Sequence, residues 1–278
     1  MKVDAHQHFW NLSKTDYPWL KPDNQKLYRT FHPRDLEPQI RAAGIERTVL
    51  VQACDSLEDT VSMLTQAEDY DWIAAVVGWA PLLDHAAERH ALDRLARHPK
   101  FRGIRHLIHG EADPDWVVQP QVIEGLKVLA DYGLSFDMPA SYPNHLKHVP
   151  TLAEKVPGLT LIIDHLAYPP IRAKQMGAWA EQLAAAAQYP NVYAKLSGLA
   201  TAADLETWTV GDLQPYADYA IENFGAHRLM FGSDWPVTLL ASDYARTWAA
   251  TNQLLAGRAP EQLNDILGET ARKVYRLD

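Results

Sequence analysis

Two rhythms of apolar and polar positions alternate along the 278-residue chain. Short apolar runs rich in β-branched residues recur, as in Thr48-Val49-Leu50-Val51 and Leu161-Ile162-Ile163. Longer stretches between them return an apolar residue every third or fourth position. The first rhythm is that of a parallel strand buried on both faces, the second that of an amphipathic helix. Strands are predicted at residues 2–6, 48–52, 74–79, 103–107, 134–138, 160–164, 192–196 and 228–232. Helices are predicted at 35–43, 57–70, 84–98, 119–132, 145–155, 172–189, 213–224, 242–256 and 260–275. Gly44 and Gly133 follow two of these helices as C-caps.

Eight strand–helix units in this length match a (β/α)8 barrel, which takes about 250 residues. An open doubly wound sheet shows the same alternation, but no Gly-rich phosphate loop follows the first strand. The expected fold is therefore α/β: a TIM barrel forming a single domain over residues 1–278, with an extended loop after strand one and an extra C-terminal helix. That loop, residues 9–30, is polar but carries Trp10, Tyr17, Trp19 and Tyr28.

Composition narrows the partners. The net charge is −9 and no basic run is long, so nucleic acid is excluded as a target, since phosphate recognition needs clustered Lys and Arg. No apolar stretch approaches the ~20 residues of a membrane span, so no membrane partner is expected. No leader pattern precedes the first strand, and a cytoplasmic location is the expectation. The single cysteine, Cys54, excludes an internal disulfide framework. The oligomeric state is not legible, and a homo-oligomer is compatible with the chain.

Chemistry gathers at the strand ends, where barrels of this kind place their active sites. Strand one delivers His6 and His8, strand two Gln52 and Asp55, and strand three Trp79. Strand four delivers Arg105, His106 and His109, and strand five Asp137. Asp164 and His165 follow on strand six, Lys195 and Ser197 on strand seven, and Ser233 and Asp234 on strand eight. His6 and His8 lie two apart, so one strand face presents both imidazoles, roughly 6.5–7 Å apart along the chain. Such a pair can hold one metal ion or one substrate carbonyl. The competing reading is a hydrogen-bonded core histidine. Asp234 is a candidate general base; as a helix N-cap it would be poorly placed, because Trp235-Pro236 follows. His165 joins these three as a catalytic candidate. Arg105 and Lys195 could hold substrate hydroxyls or an oxyanion, or could equally form internal ion pairs with Asp137 or Asp164. Trp79, His106 and Trp235 are candidate substrate-binding residues; the aromatics could equally pack the first loop onto the barrel.

These residues resemble the amidohydrolase superfamily. Asp4-Ala5-His6-Gln7-His8-Phe9-Trp10 and Phe231-Gly232-Ser233-Asp234-Trp235-Pro236 are similar to its "amidohydrolase 2" branch of sugar lactonases, which includes L-fuconolactone and L-rhamnonolactone hydrolases. Arg102-Gly103-Ile104-Arg105-His106, Asp164-His165-Leu166-Ala167 and Lys195-Leu196-Ser197-Gly198 fit as well, so the resemblance spans the chain. It implies a hydrolase that opens a small-molecule sugar-acid lactone, with Asp234 activating water. It also implies either no required cofactor or one divalent metal ion, zinc first, on His6, His8 and Asp234. Metal-dependent relatives add a His from strand five or a bridging Lys or Glu from strand four. Here strand five ends Phe136-Asp137-Met138-Pro139, so a binuclear centre is not expected. Two other functions are compatible with the same fold: metal-dependent decarboxylation of an aromatic or unsaturated acid, and non-catalytic binding of a sugar acid.

Overall fold

The eight strands form one parallel sheet in sequence order: β1 Val3–Gln7, β2 Arg47–Val51, β3 Ile73–Gly78, β4 Phe101–Arg105, β5 Ser135–Met138, β6 Thr160–Ile163, β7 Val192–Leu196 and β8 Leu229–Phe231. This is a computed structural model, and it describes residues 1–277. The segment after β8 returns to β1. There the Asp234 N–H donates to the His6 carbonyl at 2.8 Å and the His8 N–H to the Trp235 carbonyl at 2.7 Å. The sheet thus closes into the expected barrel, and it closes at the edge where strand-end chemistry was expected.

The outer shell comprises α1 Pro33–Ala43, α2 Leu57–Asp69, α3 His85–Leu95, α4 Pro120–Asp131, α5 Val149–Lys155, α6 Gly177–Ala187, the short α7 Leu199–Ala202, α8 Val210–Phe224 and α9 Tyr244–Leu254. The extra C-terminal helix is α10 Pro260–Asn264, a π-helical turn Asp265–Glu269 and α11 Thr270–Val274. Local chemistry sets several helix boundaries. Ser56, Asp84 and Asp243 each accept a backbone N–H from the first turn of α2, α3 and α9. Gly44 ends α1 in the left-handed conformation that glycine adopts at low cost. β4 begins and ends two residues earlier than expected, because its last residue, Arg105, pairs with Asp137 of β5 and the chain then turns at Ile108–Gly110. Helix α6 begins at Gly177, after a run of turns that follows Pro169-Pro170.

Buried apolar residues fall into two clusters. The larger joins the outward faces of the strands to the helices and includes Phe9, Trp10 and Phe31 under the first loop. The smaller joins Val3, Ala5, Val49, Val51, Ala75, Val77, Ile162 and Met230 with Ala271, Tyr275 and Leu277 near the C-terminus. It fills the bore. The C-terminal helix plugs the bore from below: Gly268 lies so close to the Met1 carbonyl that any β-carbon would collide with it. Among the described residues, no helix is long and apolar enough to cross a membrane.

Candidate active site

Barrel closure brings strand one and the strand-eight loop into register, and with them four catalytic candidates. Asp234 Oδ1 stands 3.4 Å from His8 Nε2, 3.7 Å from His6 Nε2 and 3.8 Å from His165 Nε2. The His6 and His8 Nε2 atoms are 3.0 Å apart. All four side chains are buried. Gly232 permits this closeness, since a β-carbon there would lie 2.7 Å from His6 Cβ. Asp234 itself has φ 56°, a left-handed conformation that a non-glycine residue rarely adopts and that recurs at functional sites.

Each imidazole is held from behind. His8 Nδ1 is 2.8 Å from the Val51 carbonyl, so it donates there and its Nε2 carries the lone pair. His165 Nδ1 meets Ser197 Oγ at 2.8 Å. His6 Nδ1 faces Lys195 Nζ at 3.0 Å and Asp164 Oδ1 at 3.2 Å. Burial, and for His6 next the Lys195 ammonium, lowers the pKa of His6 well below the usual histidine value; burial lowers that of His165 too. Both rings are therefore neutral around pH 7.

His165 begins an unusual turn. His165, Leu166, Ala167 and Tyr168 all have φ between 50° and 61°, a left-handed stretch containing no glycine. The Tyr168 N–H donates to the His165 carbonyl at 2.9 Å, and residues three apart on such a turn share a face. His165 and Tyr168 therefore stand together, ring centroids 5.0 Å apart, and both line one cavity of about 150 Å³. Its other walls include His8, Asp234, Arg105, His109 and Trp19. Burial, and next the Asp234 carboxylate, raises the Tyr168 pKa, so its hydroxyl stays protonated and can donate.

Arg105 lines this cavity while its Nε donates to Asp164 at 2.8 Å and one Nη to the Gln52 carbonyl at 3.2 Å. It forms one of the internal ion pairs the sequence allowed and also borders the cavity. Lys195 lies wholly beneath the histidines in an internal ion-pair network, with Asp137 at 2.5 Å and Asp164 at 3.0 Å. Burial favours the neutral acid of Asp164, but the Lys195 ammonium and the Arg105 guanidinium outweigh it and hold the carboxyl well below the usual range. Trp79 and His106 pair with each other at 3.0 Å, and His106 stacks on Trp116 and reaches Glu111 at 2.7 Å. Neither is among the residues lining the cavity. Trp235 packs edge-on against Phe9 and Phe31, which puts it under the first loop and not in the cavity wall. Tyr168 escaped sequence reasoning because nothing in Leu166-Ala167-Tyr168 signals a left-handed turn. His109 and Trp19 were visible as a strand-end and a loop residue, but without a direction.

Two groups among the described residues could hold a metal ion: His6, His8 and Asp234, and His6, Asp164 and His165. Neutral imidazoles with a carboxylate suit a divalent ion of the zinc type. His8 and Asp234 present lone pairs as they stand. His6 Nε2 joins them when its ring proton sits on Nδ1, opposite Asp164 Oδ1.

The amidohydrolase family model matches residues 3–277. An L-fucono-1,5-lactonase of Burkholderia ambifaria is 38% identical over 282 residues, covering 100% of this chain and 96% of that protein. An L-fucono-1,5-lactonase of Burkholderia multivorans is 32% identical over 294 residues, with the same coverage. Among solved structures, an amidohydrolase from Burkholderia multivorans with bound zinc superposes with a TM-score of 0.93 at 32% identity, covering 100% of both chains.

Proposed function

The chain belongs to the amidohydrolase family, and from that premise we propose that it hydrolyses a sugar-acid lactone. The observation that carries the reading is the single carboxylate oxygen of Asp234, ringed by three imidazole nitrogens at 3.4–3.8 Å on the wall of a small cavity.

The catalytic residues in this reading are Asp234, His6, His8 and His165, with Arg105 and Tyr168 as substrate contacts. Asp234 takes a proton from water, and the water oxygen attacks the lactone carbonyl carbon. Negative charge moves onto the carbonyl oxygen, where Arg105 and Tyr168 supply donors. The acyl–oxygen bond of the ring then breaks. The ring oxygen leaves with its electron pair and takes the proton back from Asp234, giving the open hydroxy acid. The neutral His165, fixed by Ser197, borders the same oxygen and orients the water. A divalent ion, if bound, would be held by His6, His8 and Asp234 and would polarise the carbonyl. An ester-like ring needs less electrophilic help than an amide, so these residues suffice without it.

The test is a pH-indicator screen over aldonolactones, starting with L-fucono-1,5-lactone, run with and without chelator. Acid release from at least one lactone is expected. Binding without turnover across the panel would sink the reading, and loss of all activity on chelation would sink its metal-independent part.

A further inference from the structure

The bore of the barrel holds an ionic network that this mechanism does not use. Lys195 Nζ has three neighbours: Asp137 Oδ2 at 2.5 Å, Asp164 Oδ1 at 3.0 Å and His6 Nδ1 at 3.0 Å. An ammonium has three protons and no lone pair, so His6 Nδ1 and Asp137 Oδ2 accept from it, while Asp164 Oδ1 pairs with it by charge. Asp137 is fixed in turn. Its Oδ1 accepts from Ser135 Oγ at 2.9 Å, and its Oδ2 also accepts from Tyr275 Oη at 2.6 Å. Tyr275 follows the C-terminal helix and enters the bore with no exposed surface.

We propose that Tyr275 is a positioning residue for the active site: by holding Asp137 it seats the Lys195 ammonium against His6 Nδ1, which places the ring proton of His6 on Nε2. The inference concerns the metal-free protein and rests on His6 belonging to the site proposed above. Two contacts decide the tautomer. If Nδ1 carried the proton, it would point at a Lys195 proton, and the Nε2 lone pair would face the lone pair of His8 Nε2 at 3.0 Å. If Nε2 carries it, both clashes become hydrogen bonds, running from Lys195 through His6 to His8 and ending on the Val51 carbonyl. The alternative gains only one bond, from Nδ1 to Asp164 Oδ1 at 3.2 Å. The favoured arrangement ties the His6 ring to His8 beside Asp234 and so fixes both imidazoles at the edge of the site. Loading a metal onto His6 Nε2 would first require that proton to move.

The test combines ring-nitrogen NMR with kinetics on chelator-treated protein. Histidine-selective ¹⁵N labelling distinguishes the protonated ring nitrogen from the bare one, and a His6→Gln sample assigns the signal. In wild-type protein, His6 should show a bare Nδ1 and a protonated Nε2. In Tyr275→Phe, which deletes one oxygen and keeps the ring, the signal should shift toward exchange between tautomers. In that variant kcat should fall about 10- to 100-fold with KM unchanged, the scale expected when a reacting group is displaced from a distance. Ser135→Ala loosens the same Asp137 from the barrel wall and should act in the same direction. A wild-type His6 protonated on Nδ1 overturns the proposal whether or not the variants fold. Unchanged spectra and kcat in both variants overturn it equally. If no lactone is turned over but the wild-type tautomer is as stated, the functional reading fails and the tautomer assignment stands.

Discussion

At the scale of single residues, the site is a set of imidazoles arranged around one carboxylate, with each ring oriented by a group behind it. Asp234→Asn keeps the shape and removes the base. Lactone turnover should fall by about 100- to 10,000-fold with the melting temperature little changed, as steady-state rates and thermal denaturation would show. Tyr168 is tested separately, because its hydroxyl is a donor and not a base. Tyr168→Phe should lower kcat/KM by about 10- to 100-fold, the cost of losing one hydrogen bond to developing charge, and leave its pH profile in place. The sequence showed which residue types stood at the strand ends but not which way they pointed. Lys195 and Arg105 read alike there. In the fold, one lies sealed in the bore and the other reaches the cavity, a difference fixed by strand register and by the carboxylates that register sets opposite them.

At the scale of elements, most strands were legible because a parallel strand buried on both faces is largely apolar, and the eight predicted segments mark their elements to within about two residues. The left-handed turn after β6 was not, because its geometry comes from the packing of His165 and Leu166 and runs against local preference. Each left-handed non-glycine residue costs roughly 1–2 kcal/mol. Ala167 therefore offers a clean test. Its carbonyl accepts from the Tyr142 N–H at 2.9 Å, and its methyl group is buried but small. Ala167→Gly relieves the backbone and should raise stability by about 0.5–1 kcal/mol in denaturant titrations, net of glycine's greater freedom when unfolded. Leu166→Gly relieves the same strain but loses a fully buried side chain, and should destabilise.

At the scale of the whole molecule, stability depends on pH through groups far from the site. Glu88 on α3 is buried, and neither of its carboxyl oxygens has a hydrogen-bond partner. Gly125 of α4 packs 3.2 Å from Glu88 Oε2, measured from where its β-carbon would be. Burial pushes the carboxyl pKa up from 4.5 to about 8. The folded state thus holds this proton more tightly than the unfolded chain. Its contribution is complete below about pH 4.5 and is lost as pH rises through 8. Melting curves of wild type and Glu88→Gln should diverge over that window, with the wild type losing ground as pH rises; parallel curves would refute the assignment. No helical periodicity discloses such a residue, since position 88 sits where a solvated or a buried side chain fits the pattern equally well. The hydrogen bonds that close the barrel, from Asp234 to His6 and from His8 to Trp235, are also the ones that assemble its chemistry. A growing chain carries two of the histidines from its first residues but remains inert until the last strand arrives, so the onset of turnover reports completion of the ring, and a split or permuted version of the protein would announce its own reassembly by becoming active.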